Sequence, residues 1–160
     1  MPALAGRIPL ARVSAQARIL VVEDPPFVRE SLVRLINGQS DLACCGEADS
    51  LAAAPEVVGA RMPNLVLLDL KLTDGESFPL IALLRHQFPA VAVLIFSQYD
   101  EQSYAPRALQ HGAQGYIMKE AASEELLNAI HVVLSGRTFL SPAMAPRVTC
   151  AAASRPLAPA

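Results

Sequence analysis

Residues 65–69 read Leu65-Val66-Leu67-Leu68-Asp69: four branched apolar side chains without a polar interruption, then one carboxylate. Such a run suits a parallel strand buried on both faces, because covering helices leave no wet side for alternating polar residues. Three other runs end the same way. Ile19-Leu20-Val21-Val22 leads to Glu23-Asp24, Val91-Ala92-Val93-Leu94-Ile95-Phe96 leads to Ser97, and Gly115-Tyr116-Ile117-Met118 leads to Lys119. In open parallel sheets, ligands bind beyond the carboxyl ends of the strands. With all four runs parallel, three carboxylates, a hydroxyl and an ammonium converge at one edge. That is the chemistry of a metal-assisted phosphoryl site.

The stretches between the runs read as helices. Phe27, Val28, Ser31, Leu32, Leu35 and Ile36 have helical spacing after Pro25-Pro26, and Asn37-Gly38 stops them. A short second strand covers Leu42 to Cys45 and ends at Gly46. A second helix is expected from Leu51 to Ala60, with Pro55 inside it. A turn at Thr73-Asp74-Gly75 precedes a third helix from Phe78 to His86, whose stripe is Leu80, Ile81, Leu83 and Leu84. Asp100 reads as the cap of a fourth helix ending at Gly112, and a fifth runs from Ser123 to Leu134 until Gly136. Strands and helices alternating about five times predict an α/β fold: a doubly wound parallel sheet of the flavodoxin-like (βα)5 type, strand order 2-1-3-4-5, with right-handed crossovers.

One residue conflicts with this pattern. Pro106 falls inside the fourth helix, where it removes one backbone hydrogen bond and clashes with the carbonyl of Gln102. In a regular helix the cost is about 3 kcal/mol or more. A short, kinked or loosely ordered segment is therefore expected from Gln102 to Pro106, the alternative being a helix that begins only at Pro106.

Composition bounds the rest. The 160 residues suffice for one domain with a real core, and 52% hydrophobic against 18% charged content excludes a disordered chain. No apolar run approaches a membrane span. A net charge of −2 without a basic stripe gives little electrostatic reason to bind nucleic acid. The cysteines are Cys44, Cys45 and Cys150; the adjacent pair reads as buried, reduced thiols in a strand, which suits a cytoplasmic compartment. Residues 1–16 read as a flexible leader, and residues 137–160, rich in Ala and Pro, as a linker or tail. His86, His111 and His131 are scattered on helices and read as structural residues.

Glu23, Asp24 and Asp69 at neighbouring strand ends repel one another without a cation. Hard oxygen donors of this kind suit Mg²⁺. Asp69, alone at the end of the central run, is the natural nucleophile, since carboxylates accept phosphoryl groups as aspartyl phosphates. Lys119 and Ser97 would then steady charge on the transferred group.

Taken together, Val21-Val22-Glu23-Asp24, Leu67-Leu68-Asp69, Phe96-Ser97 and Gly115-Tyr116-Ile117-Met118-Lys119 resemble the receiver domains of two-component response regulators, over about residues 17–136. The resemblance implies that Asp69 accepts a phosphoryl group from a histidine kinase. It implies Mg²⁺ on Glu23, Asp24, Asp69 and the backbone carbonyl of Lys71. It makes Ser97 the switch hydroxyl, Lys119 the charge partner and Tyr116 the aromatic switch. The output face would be the fourth helix, fifth strand and fifth helix, with a homodimer through that face. Lys119-Glu120, in place of the commoner Lys-Pro, and the segment Val133 to Pro142 resemble the NarL/FixJ (LuxR-type) class. Members of that class carry a C-terminal helix-turn-helix domain. This sequence stops where the linker to it would run, so it reads either as the receiver portion of a longer transcription regulator, the favoured reading, with DNA contacted only through that other domain, or as a stand-alone receiver.

Two loop residues depart from the family pattern. Thr73 stands where Pro is usual, which predicts a less rigid loop after Asp69. Gln98 stands where a small residue is common, and its bulk is expected to alter autodephosphorylation. Two other classes compete with this reading. An aspartate-nucleophile hydrolase of the haloacid dehalogenase type carries a second Asp two residues after the first, and Lys71 stands there. A pseudo-receiver acting only through protein contacts would have lost an acid or the lysine, and none is lost.

Overall fold

The protein is described by a computed structural model over residues 15–144. Most of the expected leader and the end of the expected tail, with Cys150, lie outside the described residues. The chain alternates β1 (Ala17–Val22), α1 (Pro26–Asn37), β2 (Leu42–Ala48), α2 (Ala54–Arg61), β3 (Leu65–Leu68), α3 (Phe78–Gln87), β4 (Ala92–Ser97), α4 (Glu101–His111), β5 (Gly115–Met118) and α5 (Ser123–Leu134). The five strands form one parallel sheet in the order β2-β1-β3-β4-β5. This is the flavodoxin-like order that the alternating pattern predicts.

Each strand is apolar throughout because both of its faces are covered. Leu20, Val22, Val66, Leu68, Val93, Ile95 and Tyr116 pack towards α2, α3 and α4, joined by Val58, Ile81, Leu84 and Ala108. The alternate residues Ile19, Val21, Leu65, Leu67, Leu94, Phe96 and Ile117 pack towards α1 and α5, against Leu32, Ile36, Leu126 and Ile130. The strand period of two splits each run between two cores. The register pairs Val22 with Leu68, Leu68 with Ile95 and Ser97 with Met118. It therefore brings the polar residues that end the runs to one edge.

Several local expectations are corrected. β2 continues to Ala48, past Gly46, and Cys45 is the extra residue where the β1–β2 register shifts. Cys44 and Cys45 are half-buried free thiols instead of core residues, because β2 is an edge strand. α2 begins at Ala54, so Pro55 lies in its first turn, where a missing amide hydrogen costs least. Between β3 and α3 a two-residue hairpin intervenes, with Lys71 opposite Glu76 and Leu72 opposite Gly75.

α4 contradicts the expected break. It is one continuous helix over Glu101–His111 with Pro106 in its interior. Three features hold it. The Asp100 carboxylate accepts from the Ser103 amide at 3.0 Å and caps the first turn. Ala105 and Ala108 are fully buried on either side of the proline. Pro106 itself sits on the exposed face, where helices bend and lengthen their hydrogen bonds most easily.

The chain after α5 is not free linker as far as Met144. Phe139 pairs with Gly115 in parallel, donating to the Gln114 carbonyl at 3.0 Å and accepting from the Tyr116 amide at 3.1 Å. Gly115 permits this approach: a Cβ there would lie 2.8 Å from Leu94 Cδ1 and 3.1 Å from the Phe139 oxygen. Ser141 then donates its amide (3.2 Å) and its hydroxyl to the buried Glu101 carboxylate at the start of α4, and Met144 is buried.

Candidate functional site

Glu23 and Asp24 follow β1, Asp69 follows β3, Ser97 ends β4 and Lys119 follows β5. Their backbones extend the ladder. Asp69 N–H donates to Val22 O at 3.0 Å, and Lys119 N–H donates to Ser97 O at 2.8 Å. The Ser77 hydroxyl donates to the Asp69 carbonyl, and Arg29 Nη1 donates to the carbonyls of Glu23 (2.8 Å) and Asp24 (3.1 Å). The acids are thus mounted on fixed main chain.

One oxygen from each of Glu23, Asp24 and Asp69 lies within 4.8 Å of the others. Lys119 Nζ bridges two of them, 3.0 Å from Glu23 Oε1 and 2.9 Å from Asp69 Oδ2. Among the described residues, Glu23 Oε2 and Asp69 Oδ1 are the buried side-chain oxygens without a hydrogen-bond partner. Buried carboxylate oxygens are normally satisfied, and leaving one bare costs about 1–3 kcal/mol. Two bare oxygens beside a third carboxylate fit a small, hard divalent cation, and the oxygen-only donor set suits Mg²⁺. The electrostatics agree. Burial, and then the neighbouring Asp69, push the Glu23 carboxyl up to about 8, with Lys119 opposing them. Burial alone would lower the Lys119 ammonium, but its bonds to Asp69 and Glu23 outweigh that and raise it.

The remaining predicted residues form a second cluster. Ser97 is fully buried, and its Oγ accepts from the Tyr99 amide at 3.0 Å. Tyr116 is also fully buried, with its hydroxyl donating to the Tyr99 carbonyl at 2.7 Å, and burial pushes its phenol up to about 12. Lys71 turns its side chain away from the acids: Nζ lies 4.1 Å over the Tyr99 ring and 3.3 Å from the Tyr104 hydroxyl. Gln98 is exposed. Tyr99 therefore ties Ser97, Tyr116 and Lys71 together. Tyr99 carries no signal in the sequence, because its contacts come from loop conformation and leave no periodic pattern. The same holds for Arg29 and Ser77.

The profile of the response regulator receiver domain family matches residues 19–131. The chain belongs to that family. Among curated relatives, this receiver domain is 31% identical over 129 residues to the probable transcriptional regulatory protein NarL of Mycobacterium tuberculosis, covering 81% of this chain and 60% of that protein. It is 33% identical over 129 residues to the oxygen regulatory protein NreC of Staphylococcus carnosus, covering 79% of this chain and 59% of that protein. The chain thus spans about 60% of the length of these relatives. Among solved structures, a LuxR-family two-component response regulator from Aurantimonas sp. SI85-9A1 superposes with a TM-score of 0.79 at 31% identity, covering 88% of this chain and all of that one. The signal receiver domain of NarL from Mycobacterium tuberculosis gives 0.73 at 32% identity, covering 77% and 99%. The receiver domain is thus of the LuxR-type class. Among its described residues, no helix is long and apolar enough to cross a membrane.

Proposed function

We propose that this receiver domain is a phosphoacceptor whose nucleophile is Asp69, charged by a sensor histidine kinase. The observation that carries the reading is Lys119 Nζ shared between Glu23 and Asp69, each of which keeps one bare buried oxygen. Glu23, Asp24, Asp69 and the Lys71 carbonyl would hold Mg²⁺, which when bound neutralises charge on the phosphoryl oxygens. In the transfer, a carboxylate oxygen of Asp69 bonds to phosphorus as the phosphorus–nitrogen bond of phosphohistidine breaks, and the leaving imidazole takes a proton. Lys119, already 2.9 Å from Asp69, follows the charge onto the phosphoryl group.

The Ser97 hydroxyl, freed from the Tyr99 amide, then donates to a phosphoryl oxygen. Tyr116 and Tyr99 carry that rearrangement to α4, β5 and α5, which serve as output face and homodimer contact. In the longer regulator, a C-terminal DNA-binding domain reads this change, and the protein works in the cytoplasm. The test is incubation with phosphoramidate and Mg²⁺, then hydroxylamine, then peptide mass mapping. Hydroxamate at Asp69 alone supports the reading; hydroxamate elsewhere, or none, refutes it.

A further inference from the structure

Thr73 occupies the hairpin tip after Asp69, where proline is usual in this family. Its side chain is exposed, and nothing in the core requires it. Its main chain is different. The Thr73 N–H donates to Asp24 Oδ2 at 2.8 Å, across 49 residues of sequence. A proline has no such hydrogen.

The donor is held in place from two directions. The hairpin pairs Lys71 with Glu76 and Leu72 with Gly75. Beside Thr73, the Asp74 carboxylate accepts from the amides of Leu51 (3.0 Å) and Ala52 (3.1 Å), clamping the tip to the chain before α2. Three contacts thus anchor the loop that the sequence predicts to be less rigid. Asp24 is fixed at its other end, because Arg29 binds its carbonyl at 3.1 Å. One carboxylate oxygen of Asp24 is bonded to Thr73, and one lies within 4.8 Å of an oxygen of Glu23 and of Asp69.

We infer that the Thr73 main-chain amide is a positioning group for the divalent cation: it orients Asp24 so that one oxygen faces the metal while the other is held by the hairpin. The inference rests on the reading of Glu23, Asp24 and Asp69 as a Mg²⁺ site. Outer partners of this kind orient metal-binding carboxylates, and losing one typically costs about 10–100-fold in metal affinity. The amide is the active group, so Thr73→Ala, which keeps the N–H, and Thr73→Pro, which deletes it, separate main chain from side chain. Proline is compatible with the first central position of a turn.

The experiment is a Mg²⁺ titration of wild type, Thr73→Ala and Thr73→Pro by amide NMR shifts, with amide exchange measured in metal-free protein. Thr73→Ala should track wild type, and Thr73→Pro should bind about tenfold or more weakly. In metal-free wild type the Thr73 amide should exchange slowly, and Asp24→Ala should release it. Wild-type affinity in Thr73→Pro, or equal weakening in both Thr73 variants, overturns the inference. If Thr73→Pro does not fold, the exchange comparison decides: an unprotected Thr73 amide in wild type, or one still protected in Asp24→Ala, overturns it. Failure of the wild type to bind Mg²⁺ instead removes the metal reading beneath it, and the inference with it.

Discussion

Lys119 is the residue on which the site's balance rests. Its ammonium neutralises Glu23 and Asp69 together, yet each keeps a bare buried oxygen. A folded state that stores such repulsion is less stable than its packing allows, as sites kept for function often are. Glu23→Gln is therefore predicted to raise stability in the presence of a chelator, by about 0.5–2 kcal/mol, and to erase the stabilisation that Mg²⁺ gives the wild type. Urea unfolding with and without Mg²⁺ measures both; a variant less stable than wild type in chelator would contradict this. Asp74 gives the pH prediction. The Leu51 amide bond, with that of Ala52, lowers its carboxyl below the ordinary 3.8. Its stabilisation is therefore present above pH 3.8 and is lost as pH falls through the lower folded value. The stability gap between wild type and Asp74→Asn should be constant near neutrality and close in acid. Glu23, Asp24, Asp69, Ser97 and Lys119 were legible in the sequence because each follows a buried run. Tyr99 and the Thr73 amide were not, because their partners are set by loop paths.

At the scale of elements, α4 shows where pattern reasoning overreached. A proline mid-helix predicts a break, but a cap at Asp100 and two buried alanines hold the helix through it. The missing hydrogen bond still has a cost. Pro106→Ala is predicted to raise unfolding stability by up to about 3 kcal/mol, with the far-ultraviolet circular dichroism unchanged. Unchanged stability would mean that the proline is fully accommodated. The segment after α5 is a second such element. Its composition reads as linker, but Phe139 adds to the sheet edge and Ser141 satisfies a carboxylate that is only 6% exposed. Ser141→Ala should cost about 1–3 kcal/mol through the under-bonded Glu101, read by chemical denaturation. A neutral result would show that the strap adds nothing to the fold. Neither the strap nor the two-residue hairpin has enough length for a periodic signal, which is why neither was foreseen.

The whole molecule is a parallel sheet whose strand ends gather chemistry from residues up to 96 positions apart. Its order, its helix count and the placement of the site were legible, since unbroken apolar runs separated by helical spacing allow few topologies. What lay beyond reach was the tyrosine cluster, in which Tyr99 links the Ser97 hydroxyl, the buried Tyr116 and the Lys71 ammonium. Lys71 also bonds the Tyr104 hydroxyl of α4, the helix whose Glu101 accepts from Ser141; under the proposed function this cluster would carry a change at Asp69 to that helix. All of this depends on Asp69 being the phosphoryl acceptor. The most direct measurement is the intact mass of the protein after incubation with phosphoramidate and Mg²⁺, beside the same reaction in chelator and with Asp69→Asn. The account predicts one added phosphoryl group in the wild type, none in the variant and a strong loss in chelator. An unmodified wild type, or a phosphoryl group that persists in Asp69→Asn, would contradict it.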